Sequence, residues 1–246
     1  MTPLSDHPPR VVDVRESTSW AETLGAVVDH VRLGGLLAYP TETVYGFGGL
    51  ATPSVIERLQ ALKRRGPTKP MLLLVPDRQA VRDLRWTPEA RELAEVFWPG
   101  SVTLVLADPE ARYPQGVRGP DGGVAVRVSP HPLVQELVHG IGSPILSTSA
   151  NQTGESPALD ARSALGAACA AGAGDELWVL DGGTLEPSPP STIIDCSGPE
   201  PLVLRQGTIP LGRIRCVLPG VRARDASECR DSGGAKESTG EETPNE

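Results

Sequence analysis

The sequence is poor in aromatic residues and lacks any paired cysteine motif. Only 4% of its 246 residues are aromatic against 39% hydrophobic, so the core must consist mainly of Val, Leu, Ile and Ala. None of the four cysteines belongs to a CxxC pair or lies at metal-ligand spacing from a histidine. We therefore expect reduced thiols and no protein-bound metal site.

Long apolar runs and an excess of basic charge are also missing. No apolar run approaches the ~18 residues of a membrane-spanning helix, and no signal-peptide pattern is present. We expect a soluble, cytoplasmic protein without membrane contact. The net charge of −8 argues against an extended nucleic-acid-binding face, so any anion site has to be local.

Several enzyme signatures are absent as well. There is no G-x-S-x-G nucleophile elbow, and none of the four histidines accompanies a nucleophile motif. The glycines at 46–49 form neither GxGxxG nor a Walker A motif with its lysine. A bound nucleotide would therefore require a different kind of site.

The order of apolar patterns predicts one α/β domain with a mixed sheet. Residues 1–10 are expected to be loose, residues 11–220 to form the domain, and the acidic residues 221–246 to be a disordered tail. A helix is expected to follow Thr52 as its N-cap. The other predicted helices are 19–33, 78–84, 88–97, 132–139 and 158–171; the predicted strands are 11–14, 36–39, 71–75, 102–106, 124–128, 144–147, 177–180, 191–195 and 202–205.

Four polar clusters follow predicted strands or helices, and each has two interpretations. The first is Thr41-Glu42-Thr43 with the glycines at 46–49, which suits a ligand or an ordinary turn. The second is Lys63, Arg64, Arg65 and Lys69, which suits an anion or a solvated helix end.

The third cluster spans residues 147–154 and is rich in hydroxyls and amides, which suit phosphate, ribose or a purine edge as well as a local turn. The fourth comprises Arg127, Ser191-Thr192 and Arg205. An arginine that ends an apolar strand needs an acidic partner, water or a ligand anion, and the residues alone do not distinguish these.

Taken in order, seven blocks resemble the YrdC/Sua5 family, the L-threonylcarbamoyladenylate synthases. They are YPTETVYGFGG, LKRRGPTKPMLLLV, WPGSVTLVL, VAVRVSPHP, PILSTSANQTGESP, PSTIID and VLRQGTIP, and they cover about residues 15 to 212. The resemblance implies a twisted, mostly parallel open sheet with flanking helices around a large concave cavity.

The resemblance also implies a nucleotidyltransferase reaction. L-threonine, bicarbonate or CO2, and ATP would give threonylcarbamoyl-AMP and pyrophosphate for the threonylcarbamoyladenosine (t6A) modification of tRNA. Mg²⁺ would be bound through the ATP phosphates, and a tRNA threonylcarbamoyl-transfer enzyme would consume the product. The resemblance leaves room for a weak contact with RNA or tRNA.

By the same resemblance, individual residues acquire expected roles. Thr43, Arg127 and Ser191 would bind L-threonine, with Arg127 on its carboxylate. Lys63 and Arg65 would be catalytic residues that bind bicarbonate and phosphates. The expected ATP contacts are Arg65, Lys69, Ser147, Ser149, Asn151, Ser156 and Arg205.

The chain departs from the family pattern in two places. KRRGP contains a glycine where the family commonly has K-x-R-P, which affects the expected loop geometry. Leu74 stands where some members carry a histidine, so that contact to threonine should be missing. The role of Glu42 stays open between orienting a neighbouring arginine and capping its turn.

Two alternative functions are kept. One is a carbamoyl-adenylating domain of the carbamoyltransferase type, which usually accompanies zinc-finger-like partners that this chain lacks. The other is a non-catalytic module that binds double-stranded RNA or tRNA, which the acidic net charge disfavours.

Overall fold

A computed structural model describes residues 7–15, 20–64 and 69–224 of the chain. Six helices and eleven strands occur in these residues, with one 3-10 turn at Arg78–Val81. The helices are α1 Trp20–Arg32, α2 Pro53–Leu62, α3 Pro88–Phe97, α4 Pro132–Ile141, α5 Ala161–Ala170 and α6 Leu211–Val217. The strands are β1 Arg10–Asp13, β2 Leu36–Pro40, β3 Tyr45–Leu50, β4 Leu72–Leu74, β5 Val102–Ala107, β6 Gly123–Arg127, β7 Ile145–Ser149, β8 Leu177–Asp181, β9 Thr192–Asp195, β10 Leu202–Arg205 and β11 Arg222–Ala223.

All described strands belong to one open sheet in the order β1-β8-β2-β3-β7-β4-β6-β5-β9-β10-β11. Five neighbouring pairs are parallel and five are antiparallel. The α/β class, the open sheet and the mixed strand directions that the apolar pattern predicted are confirmed, whereas the mostly parallel sheet that the resemblance implied is not found among the described strands. A short connection joins only antiparallel neighbours, and the turn between β2 and β3 is of this kind.

Strand β3 was not predicted, although it is the centre of the YPTETVYGFGG block. Its glycines lack the β-branched pattern on which a strand prediction depends. Gly48 pairs with Ser147 of β7, and a Cβ atom at Gly48 would lie 2.0 Å from the Leu146 carbonyl oxygen. The glycine therefore permits close approach of two backbones inside a sheet, whereas the sequence suggested a ligand or a turn at these glycines.

Helices cover both faces of the sheet. Helices α1 and α4 pack on one face, where Leu37 and Tyr39 of β2 point. Helices α2, α3 and α5 pack on the other face, where Leu36 and Ala38 point. Because side chains alternate along a strand, the unbroken apolar run of β2 serves two cores at once.

Several predicted boundaries shift. The expected helix at 78–84 is only a 3-10 turn, which Asp77 caps by accepting from the Gln79 amide at 2.7 Å. Helix α5 begins at 161 rather than 158 because Asp160 is its N-cap and accepts from the Ser163 amide. Helix α6 was not predicted.

The sheet also extends past the predicted end of the domain at residue 220, because β11 pairs with β10. Residues 1–6 and 225–246, on which the loose start and most of the acidic tail were predicted, lie outside the described residues. In the described part of the chain, no helix is both long enough and apolar enough to cross a membrane.

Candidate functional site

A cavity of about 570 Å³ lies over the middle of the sheet. Its walls include residues of β3, β4, β5, β6, β7 and β9, with the segment before β9 at one side. This volume is within the usual range for small-molecule sites. Seven residues to which the resemblance gives a binding role line the cavity: Thr43, Arg127, Ser147, Ser149, Ser156, Ser191 and Arg205.

The cavity is cationic and rich in hydroxyls. Arg127 and Arg205 are its only charged residues among the described lining positions, and Thr and Ser hydroxyls supply most of the remaining polar groups. In a chain with a net charge of −8, the two arginines give this cavity a local positive charge, and guanidinium groups suit phosphate or carboxylate.

Arg127 ends β6 and is 4% exposed. Its Nη1 lies 3.1 Å from Oε1 of Glu42, which also is largely buried. Burial lowers the pKa of Arg127, whereas the charge of Glu42 raises it. The Nε atom of Arg127 is buried and has no hydrogen-bond partner among the described residues.

Thr41 shapes the turn between β2 and β3. Its hydroxyl donates to the Val44 carbonyl at 2.8 Å and accepts from the Thr43 and Val44 amides, both at 3.3 Å. The Thr43 hydroxyl lies 3.2 Å from that of Thr41, at the cavity wall. Because Thr41 caps the turn, Glu42 is free to pair with Arg127, which decides the question that the sequence left open.

Ser191 and Arg205 contact each other in the cavity lining. The Ser191 hydroxyl shares a 3.0 Å hydrogen bond with that of Thr103, and Arg205 donates from Nη2 to the Ser191 carbonyl at 2.9 Å. Among the described residues, no carboxylate forms an ion pair with Arg205. Its side chain therefore retains donors for an anion at the rim.

Buried Lys63 holds the loop after β7. Its Nζ donates to the Ser149 carbonyl at 2.6 Å, to the Asn151 carbonyl at 2.8 Å and to Oδ1 of Asn151 at 2.5 Å. Thr153 donates back to the Lys63 carbonyl at 2.7 Å. The end of α2 and the Ser-x-Asn loop thus form one hydrogen-bonded unit beside the cavity.

Not every predicted residue lines the cavity. Lys63 and Asn151 stand behind its wall, and Lys69 is exposed next to the lining residue Pro70. Arg65 and most of the KRRGP sequence lie outside the described residues. Leu74 is buried in the core under α1 and α4 rather than in the cavity wall.

The sequence also missed lining residues. Thr103 and Ser188 contribute hydroxyls that no predicted cluster contained. The only available signal for Thr103 was a polar residue within the apolar run of β5, which any buried and satisfied threonine would give.

Comparison with known proteins decides the family. The model for Sua5, YciO and YrdC proteins, which carries the description "Telomere recombination", matches residues 29–207. The chain belongs to this Sua5/YciO/YrdC family.

Individual family members are similar over most of the chain. A threonylcarbamoyl-AMP synthase of Chromohalobacter salexigens is 37% identical over 185 residues, which are 74% of this chain and 97% of the relative. The threonylcarbamoyl-AMP synthase of Pyrococcus abyssi is 32% identical over 88% of this chain and 63% of its own length.

Solved structures of the family share the fold. P. abyssi Sua5 complexed with L-threonine superposes with a TM-score of 0.80 and 29% identity over 92% of this chain and 65% of that one. The chain thus spans about two thirds of that Sua5 structure. Escherichia coli YciO, at 24% identity and a TM-score of 0.68, shows the fold alone.

Proposed function

We propose that the protein is an L-threonylcarbamoyladenylate synthase, an ATP-dependent nucleotidyltransferase that acts on L-threonine and bicarbonate or CO2. The observation that carries this proposal is the cationic, hydroxyl-rich cavity around buried Arg127. All the reactants are polar or anionic, so such a cavity can bind and neutralise them.

The proposed reaction needs no protein nucleophile. The amine of L-threonine is carboxylated, and an oxygen of the resulting carbamate attacks the α-phosphorus of ATP. The bond from the α-phosphorus to the oxygen that bridges it to the β-phosphorus then breaks, and this oxygen leaves as part of pyrophosphate. The chain's residues hold the partners in line and stabilise the charge that develops on phosphate oxygens.

The proposed residue roles are those that the family resemblance implies, and they are supported by the position of these residues in the cavity lining. Arg127 is proposed to bind the L-threonine carboxylate, with Thr43 and Ser191 as hydroxyl partners of the same substrate. Arg205 at the rim, and Ser147, Ser149 and Ser156 along β7 and its loop, are proposed to contact ATP.

Four more residues have proposed roles although they do not line the cavity of the described structure. Lys63 and Asn151 are proposed to shape the phosphate side of the site through the Ser149 loop. Arg65 and Lys69 remain proposed contacts of bicarbonate or phosphate.

The donor set fits a magnesium ion held by the nucleotide rather than by the protein. Within the described residues, no three His, Cys, Asp or Glu side chains lie together as potential metal ligands, and the described cavity lining has no carboxylate. We propose that Mg²⁺ binds through the ATP phosphates, where it would supply charge neutralisation.

The product must be consumed by a partner. Threonylcarbamoyl-AMP is a mixed anhydride, so we propose a downstream enzyme that transfers the threonylcarbamoyl group to tRNA. A cytoplasmic location belongs to the same proposal, because ATP, bicarbonate and tRNA are available there.

Pyrophosphate release tests the proposal. The protein is incubated with ATP plus L-threonine and bicarbonate, or with ATP plus carbamoyl phosphate. We expect release that requires L-threonine. Release with carbamoyl phosphate alone would instead favour the carbamoyl-adenylating alternative. Salt-sensitive tRNA binding without any adenylate product would favour the RNA-binding module.

Two variants test the site assignment in the same assay. We expect Arg65→Ala and Ser149→Ala to abolish turnover while both proteins melt at the wild-type temperature. Retained turnover in both would remove these residues from the site.

A further inference from the structure

The carboxylate of Glu42 is held on both oxygens behind the cavity wall. Oε2 accepts from the Ser129 hydroxyl at 2.6 Å, and Oε1 accepts from the Ser101 hydroxyl at 3.3 Å. The Ser129 hydroxyl also accepts from the His131 amide at 3.2 Å, which fixes its own position. Glu42 therefore presents Oε1 to Arg127 from a fixed direction.

This pairing uses only one of the three guanidinium nitrogens. Glu42 takes Nη1 at 3.1 Å, and the structure gives Nε of Arg127 no partner among the described residues. A purely structural arginine–carboxylate pair would usually be bidentate and would satisfy two nitrogens. The protein instead leaves a buried donor unsatisfied, which costs free energy unless a ligand supplies an acceptor.

We infer that Glu42 is a positioning residue that fixes the rotation of the Arg127 guanidinium, so that its remaining donors meet the carboxylate of the amino-acid substrate. Glu42 does not line the cavity, whereas Arg127 does, so Glu42 acts through the arginine. The inference rests on the proposed function and adds to it a second layer formed by Glu42, Ser101 and Ser129.

Steady-state kinetics of pyrophosphate release by the full chain tests this role. In Glu42→Gln the amide cannot hold the guanidinium as a carboxylate does, so we expect KM for L-threonine to rise about tenfold. KM for ATP should stay within about twofold, because the arginine is not assigned to the nucleotide. Ser129→Ala removes one hydrogen bond to Glu42 and should raise KM for L-threonine about threefold.

Glu200→Gln is the matched control. Glu200 also pairs with an arginine at 3.1 Å, but its partner Arg222 is exposed and neither residue lines the cavity. The same change in charge at that pair should leave both KM values unchanged. If Glu42→Gln does not fold, Ser129→Ala decides the question by itself.

A merely structural ion pair gives a different result. Glu42→Gln and Ser129→Ala would then lower the melting temperature or the fraction of active protein, while KM for L-threonine stayed at the wild-type value. That result overturns the inference and leaves the proposed function intact. A wild-type chain without threonine-dependent release contradicts both.

A double-mutant cycle provides an independent readout. If Glu42 acts through Arg127, the effect of Glu42→Gln on KM for L-threonine should largely disappear in an Arg127→Lys background. Additive effects on KM would contradict the inference.

Discussion

Thr192, at the start of β9, joins two segments that carry lining residues of the cavity. It is fully buried, donates to the Ile209 carbonyl at 2.6 Å and accepts from the Gly207 and Ile209 amides at 3.0 and 3.1 Å. One hydroxyl thus joins the strand to the loop that follows Arg205.

We expect Thr192→Val to lower the free energy of unfolding by about 2 kcal/mol, since it leaves buried backbone groups without partners. Urea denaturation measures the change. Thr208→Val is the control. Thr208 is exposed and donates to the Pro189 carbonyl at 2.6 Å, and water can replace that hydrogen bond. We therefore expect Thr208→Val to lower the free energy of unfolding by well under half as much as Thr192→Val. Equal losses in both variants would contradict this account of Thr192.

At the residue scale, the sequence identified which residues line the cavity better than it identified which of them contact each other. Arg127 was expected to need an acid or a ligand anion, and Glu42 was left between two roles. The pairing of these residues joins positions 85 apart in the chain, and no local pattern encodes which carboxylate meets which arginine. Seven residues with an expected role do line the cavity, and most of them lie in or next to an apolar strand that the pattern located.

Strand β3 decides the shape of the site at the scale of elements. It lies between β2 and β7 and carries Gly46 into the cavity wall. A prediction based on β-branched residues missed this strand because it is rich in glycine. The two antiparallel pairs that β3 forms, with β2 and with β7, were therefore missed as well. Strands and helices with ordinary patterns, such as α3, were predicted at their observed bounds.

Gly48→Ala tests the close approach of β3 and β7. The added Cβ would meet the Leu146 carbonyl at 2.0 Å, and backbone cannot move aside as a side chain can. We expect a loss of at least about 3 kcal/mol in unfolding free energy or failure to fold. Gly25→Ala in α1 meets nothing within 4 Å and should stabilise by about 0.5–1 kcal/mol. A tolerated Gly48→Ala would contradict the packing described.

The unit formed by α2 and the loop after β7 makes a second prediction at this scale. Lys63→Met removes the ammonium that bridges Ser149 and Asn151, so we expect about 1–3 kcal/mol of destabilisation and a raised KM for ATP. Calorimetric melting and ATP titration of turnover measure the two effects. Lys69→Met, at an exposed position, should leave the melting temperature unchanged.

The whole molecule should lose stability in mild acid. Burial lowers the pKa of His30, which stacks on Trp178 with ring centroids 4.3 Å apart, and it lowers the pKa of His131. The charges of Arg58 and Arg10 act on His30 in the same direction, whereas Glu42 opposes the shift of His131. Both histidines therefore resist protonation more in the folded chain than in the unfolded chain.

The sign follows from proton uptake. Below the ordinary histidine pKa of 6.5 the unfolded chain binds more protons than the folded one, so stability falls as pH falls through that value. Urea midpoints at about pH 7.5 and about pH 5.5 should show a decrease. His30→Phe keeps an aromatic ring against Trp178 and should make the decrease in the urea midpoint between the two pH values smaller. A wild-type midpoint that rises in acid would contradict this account of the histidines.

At the scale of the whole molecule, composition restricted the possible kinds of binding site more than it determined the fold. Few aromatics required a mainly aliphatic core, and a charge of −8 required any anion site to be local; the structure has such a core and a local cationic cavity. Composition could not give the strand order. Which strands become neighbours, and whether they run parallel or antiparallel, depends on contacts between segments that are distant in the chain.

Product analysis with labelled bicarbonate tests the central claim most directly. The full chain is incubated with ATP, L-threonine and ¹³C-bicarbonate, and the nucleotide products are weighed by mass spectrometry. We predict threonylcarbamoyl-AMP that carries the label in its carbamoyl carbon, formed together with pyrophosphate. An unlabelled adenylate, or AMP and pyrophosphate whose formation is independent of L-threonine, would contradict the account.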